Sequence, residues 1–498
     1  MRVGKINGVT YSTIDSVSGG APIDLLLIDN QVVLQGYTRI IDTSLGDGAP
    51  TYGSGVGQTP QGLNAVVTWG DGSFERITSV GDLPLDHTYS LGGTYEVCLR
   101  GTYSLAGLTT DSRRKVTDIT RWTPGPIAST VGCNNFDNIT TLTATDEPDQ
   151  TTFSNFFYSC NNFVGGISHW TIDATSIAGM FHSCRNANPS GLGNWDVSGI
   201  TNLGVTFFVN ESFNDDISSW DVSSMTNATR MFQGCFVFNQ DLSNWNIGNL
   251  VDASFMFEGC RAFTSDLSSW DTSSITSMGT MFNGCTVWTS DVSSWNVSSV
   301  TNMSSAFAGC DAFNSAMNAW NVSNVTNTRS MFQGCDIFNQ NLNSWNTSAV
   351  TDMASMFNTA SAFDGDCSSW NTSSVTRMDS MFRNTPFDQD ISGWNTGLVE
   401  NFSGMFFNNT AFDQDLGSWN IGSLTNASFM FSGSVPLSTA NYDSILDSTT
   451  GWASQATIQS GVSFSAGSST YTAGGNAEAG RNILTGTYGW TITDGGPV

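Results

Sequence analysis

Tryptophan recurs through the middle of the chain at Trp170, Trp195, Trp220, Trp245, Trp270, Trp295, Trp320, Trp345 and Trp370, always 25 residues apart. Trp394 follows after 24 residues and Trp419 after 25 more. Other apolar positions keep the same register. Phe232, Phe257, Phe282, Phe307, Phe332, Phe357 and Phe382 each lie twelve residues after a Trp, usually behind a Met such as Met231, Met256 or Met281. Three residues further on come Cys235, Cys260, Cys285, Cys310 and Cys335, and three beyond those Phe238, Phe263, Trp288, Phe313 and Phe338. An aliphatic residue, such as Leu242, Leu267 or Val292, stands three before most of these Trp residues.

Each unit thus offers about seven apolar residues. That is too few for a core of its own, so the units must stack and share one. The pattern predicts Trp on Trp, Phe on Phe and Cys on Cys in continuous ladders. Within a unit, Leu-Ser-Ser-Trp-Asp-Val alternates and reads as a strand, and Val-Thr-Asn-Met reads as a second short strand. Met-Phe-Gln-Gly-Cys reads as a tight helical turn ending at Gly. The expected fold is mainly β, with about eleven to twelve such coils over 119–435.

The flanks follow other patterns. Val66-Val67-Thr68-Trp69 alternates into a Gly70-Asp71-Gly72 turn, and Gly93-Thr94-Tyr95-Glu96-Val97-Cys98-Leu99-Arg100-Gly101 is a further alternating run near His87-Thr88-Tyr89. A small β-sandwich is expected over 56–118. Residues 1–55 hold strand-turn units such as Lys5-Ile6-Asn7-Gly8-Val9, with too little apolar material for a core, and read as an anchoring segment. Residues 436–498 lose the repeat register. Alternating runs at Val462-Ser463-Phe464-Ser465 and Trp490-Thr491-Ile492-Thr493 predict a β cap over the last coil.

Composition narrows the function. The chain has 498 residues, 43 acidic against 16 basic, and a net charge of −27. Such a field repels phosphate backbones, so nucleic acid is not an expected partner, and no apolar run is long enough to enter a membrane. The N-terminus lacks an apolar signal core, which argues against export by that route.

Candidate chemistry is sparse. The histidines are His87, His169 and His182. A nucleophilic pair of Cys184 with His182 can be drawn, but a buried ladder cysteine is the favoured reading. The repeat cysteines stand 25 apart, unlike the close pairs of structural zinc sites, and are expected to be buried free thiols. Four residues before Trp runs an acidic ladder, Asp216, Asp241, Asp266, Asp291, Asp366, Asp390 and Asp415, broken at Ala316 and Asn341. A turn role is favoured over calcium, and no cofactor is expected. Arg230, Arg261, Arg329, Arg377 and Arg383 stand out on an acidic surface as candidate binding residues.

Two resemblances add to this reading. The run from Met231-Phe232-Gln233-Gly234-Cys235 to Phe238-Asn239-Gln240-Asp241-Leu242-Ser243-Asn244-Trp245 resembles the BspA-like surface repeats, a divergent leucine-rich-repeat family known as DUF285. The resemblance implies a leucine-rich-repeat-like solenoid used for surface attachment or recognition. The Trp69-Gly70-Asp71-Gly72, His87-Thr88-Tyr89 and Gly93–Val97 elements resemble a PKD-type domain, which implies a spacer or binding module. The Ile6-Asn7-Gly8-Val9 start is similar to openings of some bacteriophage virion proteins. The expected function is that of a structural or binding protein of a bacteriophage particle: a tail-fibre, receptor-binding or decoration protein. It would bind other virion proteins through its N-terminal segment and a host-surface glycan or protein through its repeats. The alternatives are a bacterial cell-surface adhesin and, as an enzyme, a carbohydrate depolymerase.

Overall fold

The computed structural model describes Phe136, 138–144 and 153–498 residue by residue, and upstream of these the backbone of strands between Arg2 and Arg121. The chain divides into two compact units, Met1–Ser224 and Met225–Val498.

In the first unit, Arg2–Ile6 and Val9–Thr13 pair antiparallel. A five-stranded sheet has the order Val116–Arg121, Tyr37–Asp42, Thr94–Arg100, Ala65–Thr68, Phe74–Ile77, with all neighbours antiparallel. The strands at Ala65–Thr68 and Thr94–Arg100 fall where the alternation places them. Tyr37–Asp42 does not respect the expected boundary at residue 55. It pairs with both Thr94–Arg100 and Val116–Arg121, and so belongs with the sheet and not with a separate anchor. The side chains of His87 and of the PKD-like motif lie outside the described residues. Further along, Phe157, Phe181 and Phe207 stack face to face with centroids 5.4 and 5.6 Å apart.

The second unit is a stack of repeats. Single-residue parallel bridges join Asn227 to Asp252, then Ser277, Asn302, Asn327, Asp352, Arg377, Asn401 and Asn426 in succession. The two strands expected in each unit are absent from this stretch. Leu242–Ile247 is turn and irregular chain, and the Val-Thr-Asn-Met segment contributes only the bridge residue. The reason lies in the backbone that follows each bridge. Arg230, Phe255, Thr280, Ser305, Ser330, Ser355 and Ser380, each ten residues after a Trp, have φ between 53 and 61°. Four residues later Gly234, Gly259, Gly284, Gly309 and Gly334 have φ between 65 and 77°. These left-handed residues stop each bridge from extending forward into a longer strand. They also aim alternate amides along the stack. Ala228, Arg230, Phe232 and Gly234 donate to the carbonyls of Asp252, Ser254, Met256 and Glu258 in the next coil, at 2.7 to 3.1 Å. Met231, Gln233 and Cys235 instead close local turns on the third residue before them.

The interior is laddered as the register predicts. Phe232, Phe257, Phe282, Phe307, Phe332, Phe357 and Phe382 stack with centroids 5.4 to 5.9 Å apart and nearly parallel planes. Trp270, Trp295 and Trp320 follow at 6.5 and 6.4 Å. These are offset stacks, the arrangement that the ring quadrupole favours. Each indole also has a polar task. Nε1 of Trp270, Trp295 and Trp320 donates to Leu242, Leu267 and Val292 O, the carbonyl three residues before the previous Trp, at 2.9 to 3.0 Å.

The C-terminal segment differs from an all-β cap. It contains two helices, Thr439–Leu446 and Asn476–Gly486, beside short parallel strands at Ser463–Ser465 and Thr491–Thr493. Ser438 caps the first helix by accepting from Asn441 N–H, the role expected of serine there. The ladder continues under this insertion. Trp452 Nε1 donates to Leu416 O at 2.9 Å, as a repeat Trp would, and Ser463 and Ser465 carbonyls accept from Ala427 and Phe431 N–H of the last regular coil.

Trp295 combines full burial with a cross-coil hydrogen bond, and its two contributions separate by substitution. Trp295→Ala should destabilise the protein by about 3–5 kcal/mol through the cavity it leaves. Trp295→Phe, which mainly orphans the Leu267 carbonyl, should cost about 1–3 kcal/mol. Equilibrium urea unfolding measures both, and a Trp295→Phe protein as stable as the parent would show that the indole N–H contributes nothing.

Candidate functional site

The polar residues of a repeat are mostly committed to holding its turns. Asp241, Asp266, Asp291, Asp366 and Asp390 each accept, through Oδ1, the backbone N–H two residues ahead at 2.9 to 3.0 Å. Asn341 does the same for Asn343 N–H at 2.8 Å, which explains how the ladder tolerates an uncharged member. Hydrogen bonds from the following Ser hold Asp241, Asp266, Asp291 and Asp390 below the usual carboxylate range. A second set of such turns starts one residue after Trp, as at Asp271, Asn296 and Asn321. A third starts at the bridge residue, as at Asn227, Asp252 and Asn302. The acidic ladder is therefore a set of turn acceptors, and among the described residues no group of three or more His, Cys, Asp or Glu could hold a metal ion.

What remains free to vary is the outer surface, and the five arginines divide over it. On one face the Arg230 guanidinium lies 4.0 Å from the ring centroid of Phe255, its own equivalent in the next coil, and donates to Gln233 Oε1 at 2.8 Å. Gln233 in turn donates to Glu258. Burial pushes the Glu258 carboxyl up, and Arg230 partly offsets this. Along the same face Arg329 and Arg377 bracket Asp352, each at 3.8 Å, and Arg377 holds Asp379 with two hydrogen bonds of 3.1 Å. Arg383 covers the Phe407 ring at 4.2 Å. Arg261 stands apart, across a groove, and rests over Phe236 at 4.8 Å. The sequence picked out the arginines by their scarcity. Their partners Phe255, Phe407 and Asp352 come from a neighbouring coil, and Asp379 from two residues ahead in the same one.

The groove between Arg261 and that face is open, about 580 Å³, and lined by Glu258, Asn283, Thr286 and Asp311 over a floor of Gly259, Gly284 and Gly309. Glycine suits this floor: at Gly284 the backbone has φ +76°, which glycine adopts without strain.

The family comparison agrees with this repeat geometry. The family described as "Mycoplasma protein of unknown function, DUF285" matches four overlapping stretches, 134–188, 175–289, 251–370 and 338–445, which together span more than half of the chain. The chain belongs to the DUF285 family. No curated protein and no solved structure matches it. The DUF285 matches run past residue 435 to 445 and so end inside the helix Thr439–Leu446, near the point where the 25-residue register is lost.

The cysteines of the DUF285 repeats are core residues. All eight described ones are buried and unbridged. Cys260, Cys285, Cys310 and Cys335 direct Sγ–H at the carbonyls of Phe232, Phe257, Phe282 and Phe307 in the preceding coil, at 2.9 to 3.2 Å. Cys184 follows suit, donating to Phe157 O at 2.9 Å, while the His182 ring lies between Tyr158 and Phe208 and contacts Ser183 Oγ through Nδ1. Thiol and imidazole of this pair face different partners. Burial lowers the His182 pKa and raises those of Cys260, Cys285, Cys310, Cys335 and Cys367.

The raised thiol pKa values set a pH window. The unfolded chain releases thiol protons above about pH 8.5, whereas the folded chain does not. The stability they contribute is full below that pH and declines as pH rises above it. Site-resolved alkylation at pH 9 should leave Cys260, Cys285, Cys310 and Cys335 unmodified in the native protein and label them fully in denaturant. Rapid native labelling would contradict the buried ladder.

Proposed function

We propose that this DUF285 protein is a non-enzymatic structural and recognition protein whose repeats form a leucine-rich-repeat-like solenoid. We place it on a bacteriophage particle, with the N-terminal segment toward other virion proteins, a PKD-like spacer, and the repeats toward a host-surface glycan or protein. The observation that carries the reading is the division of labour inside each coil. Apolar and Asx positions are consumed by the ladders, while the left-handed positions ten residues after Trp keep their backbone and change side chain from Arg230 to Phe255, Thr280 and Ser305. A constant frame carrying variable side chains suits recognition and asks nothing of catalysis. Supporting it, the face with Arg230, Arg329, Arg377 and Arg383 offers cations already ordered by rings and carboxylates, so little side-chain entropy is lost on contact with a partner. The PKD-like motif and the Ile6-Asn7-Gly8-Val9 start support the virion placement.

Two measurements test this. Mass spectrometry of purified particles should find the chain at fixed stoichiometry with the structural proteins; its absence from particles, with the protein instead on bacterial envelopes, would favour the adhesin reading. Binding of the purified chain to host cells should weaken about tenfold or more in the combined Arg230→Ala, Arg383→Ala variant, since anchors of this kind contribute about 1–2 kcal/mol or more each. Release of reducing ends from host polysaccharide would replace recognition with depolymerase activity.

A further inference from the structure

Seventeen residues after Trp, the second unit carries a ridge that no ladder uses. In six successive coils the residues are Val237, Ala262, Val287, Ala312, Ile337 and Ala362, alternately large and small. The large members are among the most exposed apolar side chains of the described residues, at 47%, 46% and 50% for Val237, Val287 and Ile337. With coils about 4.8 Å apart, knobs recur every ~10 Å with an alanine hole between. The residues one position earlier line the same ridge: Phe236, Arg261, Thr286, Asp311, Asp336 and Ser361. Charge is segregated there, with the cation toward one end and two stacked aspartates toward the other. Burial and then the neighbouring Asp336 push the Asp311 carboxyl up. Arg261 makes no ion pair among the described residues and covers the exposed Phe236.

We propose that this ridge is a self-association surface on which a second copy of the chain docks antiparallel, about a twofold axis between the coils of Thr286 and Asp311. That axis sets Val287 against Ala312, Ile337 against Ala262 and Val237 against Ala362, a knob facing a hole in every case. It also sets Arg261 against Asp336, twice by symmetry. Parallel alternatives fail on the same residues. In register they place knob on knob and Asp on Asp, and shifted by one coil they bring Asp311 onto Asp336 and leave the contact open-ended instead of closed. The ridge is six coils, about 25 Å, long and roughly 15 Å wide. It would bury about 400 Å² per copy, half of what a stable interface needs, so the dimer exchanges and is populated at high concentration.

Sedimentation equilibrium of the full 53.3 kDa chain, at 0.15 M salt and up to about 1 mM, reads this directly. The expected result is a reversible monomer–dimer equilibrium. Arg261→Glu and Asp336→Arg should each weaken it about tenfold, because each removes two attractive pairs and creates two like-charge pairs. The double variant R261E/D336R should restore it, since the two positions lie three coils apart in one chain and can pair only between copies. Ile337→Ala, which trims an exposed knob, should also weaken it. A monomer throughout, a dimer indifferent to the single changes, or a double variant that fails to recover would each overturn the proposal.

Discussion

The repeats depend on one backbone constraint: two residues per coil held in the left-handed region so that every second amide points to the next coil. At Arg230, Phe255 and Thr280 this conformation is imposed on side chains that resist it, at a cost on the order of 1 kcal/mol each. What offsets the cost is a set of four parallel hydrogen bonds at each interface between coils, together with the Phe and Trp stacks that those bonds bring into contact. Neither stands alone. Without the amide ladder the rings have no register, and without the rings the turns have no reason to lie flat on one another.

Side-chain chemistry is subordinate to that frame. Up to three Asx turns per coil draw on the asparagine, aspartate and serine in which the repeats are rich. The indole N–H and the cysteine S–H each satisfy a carbonyl of the coil before. A buried carbonyl without a partner is costly, and these donors remove that cost. The 25-residue spacing of Trp and Cys therefore records hydrogen bonding as much as apolar packing.

This separates what was legible from what was not. The Trp, Phe and Cys ladders were readable because apolar identity repeats with the coil. The Asp ladder was readable as turn chemistry because Asp and Asn interchange at it, as Asn341 shows. The left-handed residues ten after Trp were not readable, because Arg, Phe, Thr and Ser occupy the same position and none favours that conformation; they fall between the expected short strand and the expected tight turn ending at Gly. The Trp452 layer escaped because the helix Thr439–Leu446 displaces it from the register, and Tyr37–Asp42 because its sheet partners lie far along the chain. Of the candidate surface, the arginines were visible singly, but their pairing with Phe255, Phe407 and Asp352 becomes visible only once equivalent positions are laid side by side.

The direction of the amide ladder reaches further than stability. From the Asn227 bridge onward each coil's alternate amides donate forward and its carbonyls accept from behind, and the last regular coil hands its Ala427 and Phe431 donors to Ser463 and Ser465. Every junction between coils is thus chemically the same plug and socket. A duplicated unit can enter at any junction and find both its donors and its acceptors met, and a unit can be lost without leaving an orphan. The chain is built to lengthen or shorten by whole coils during evolution, while its terminal segment, which alone ends the donor series, has to be kept.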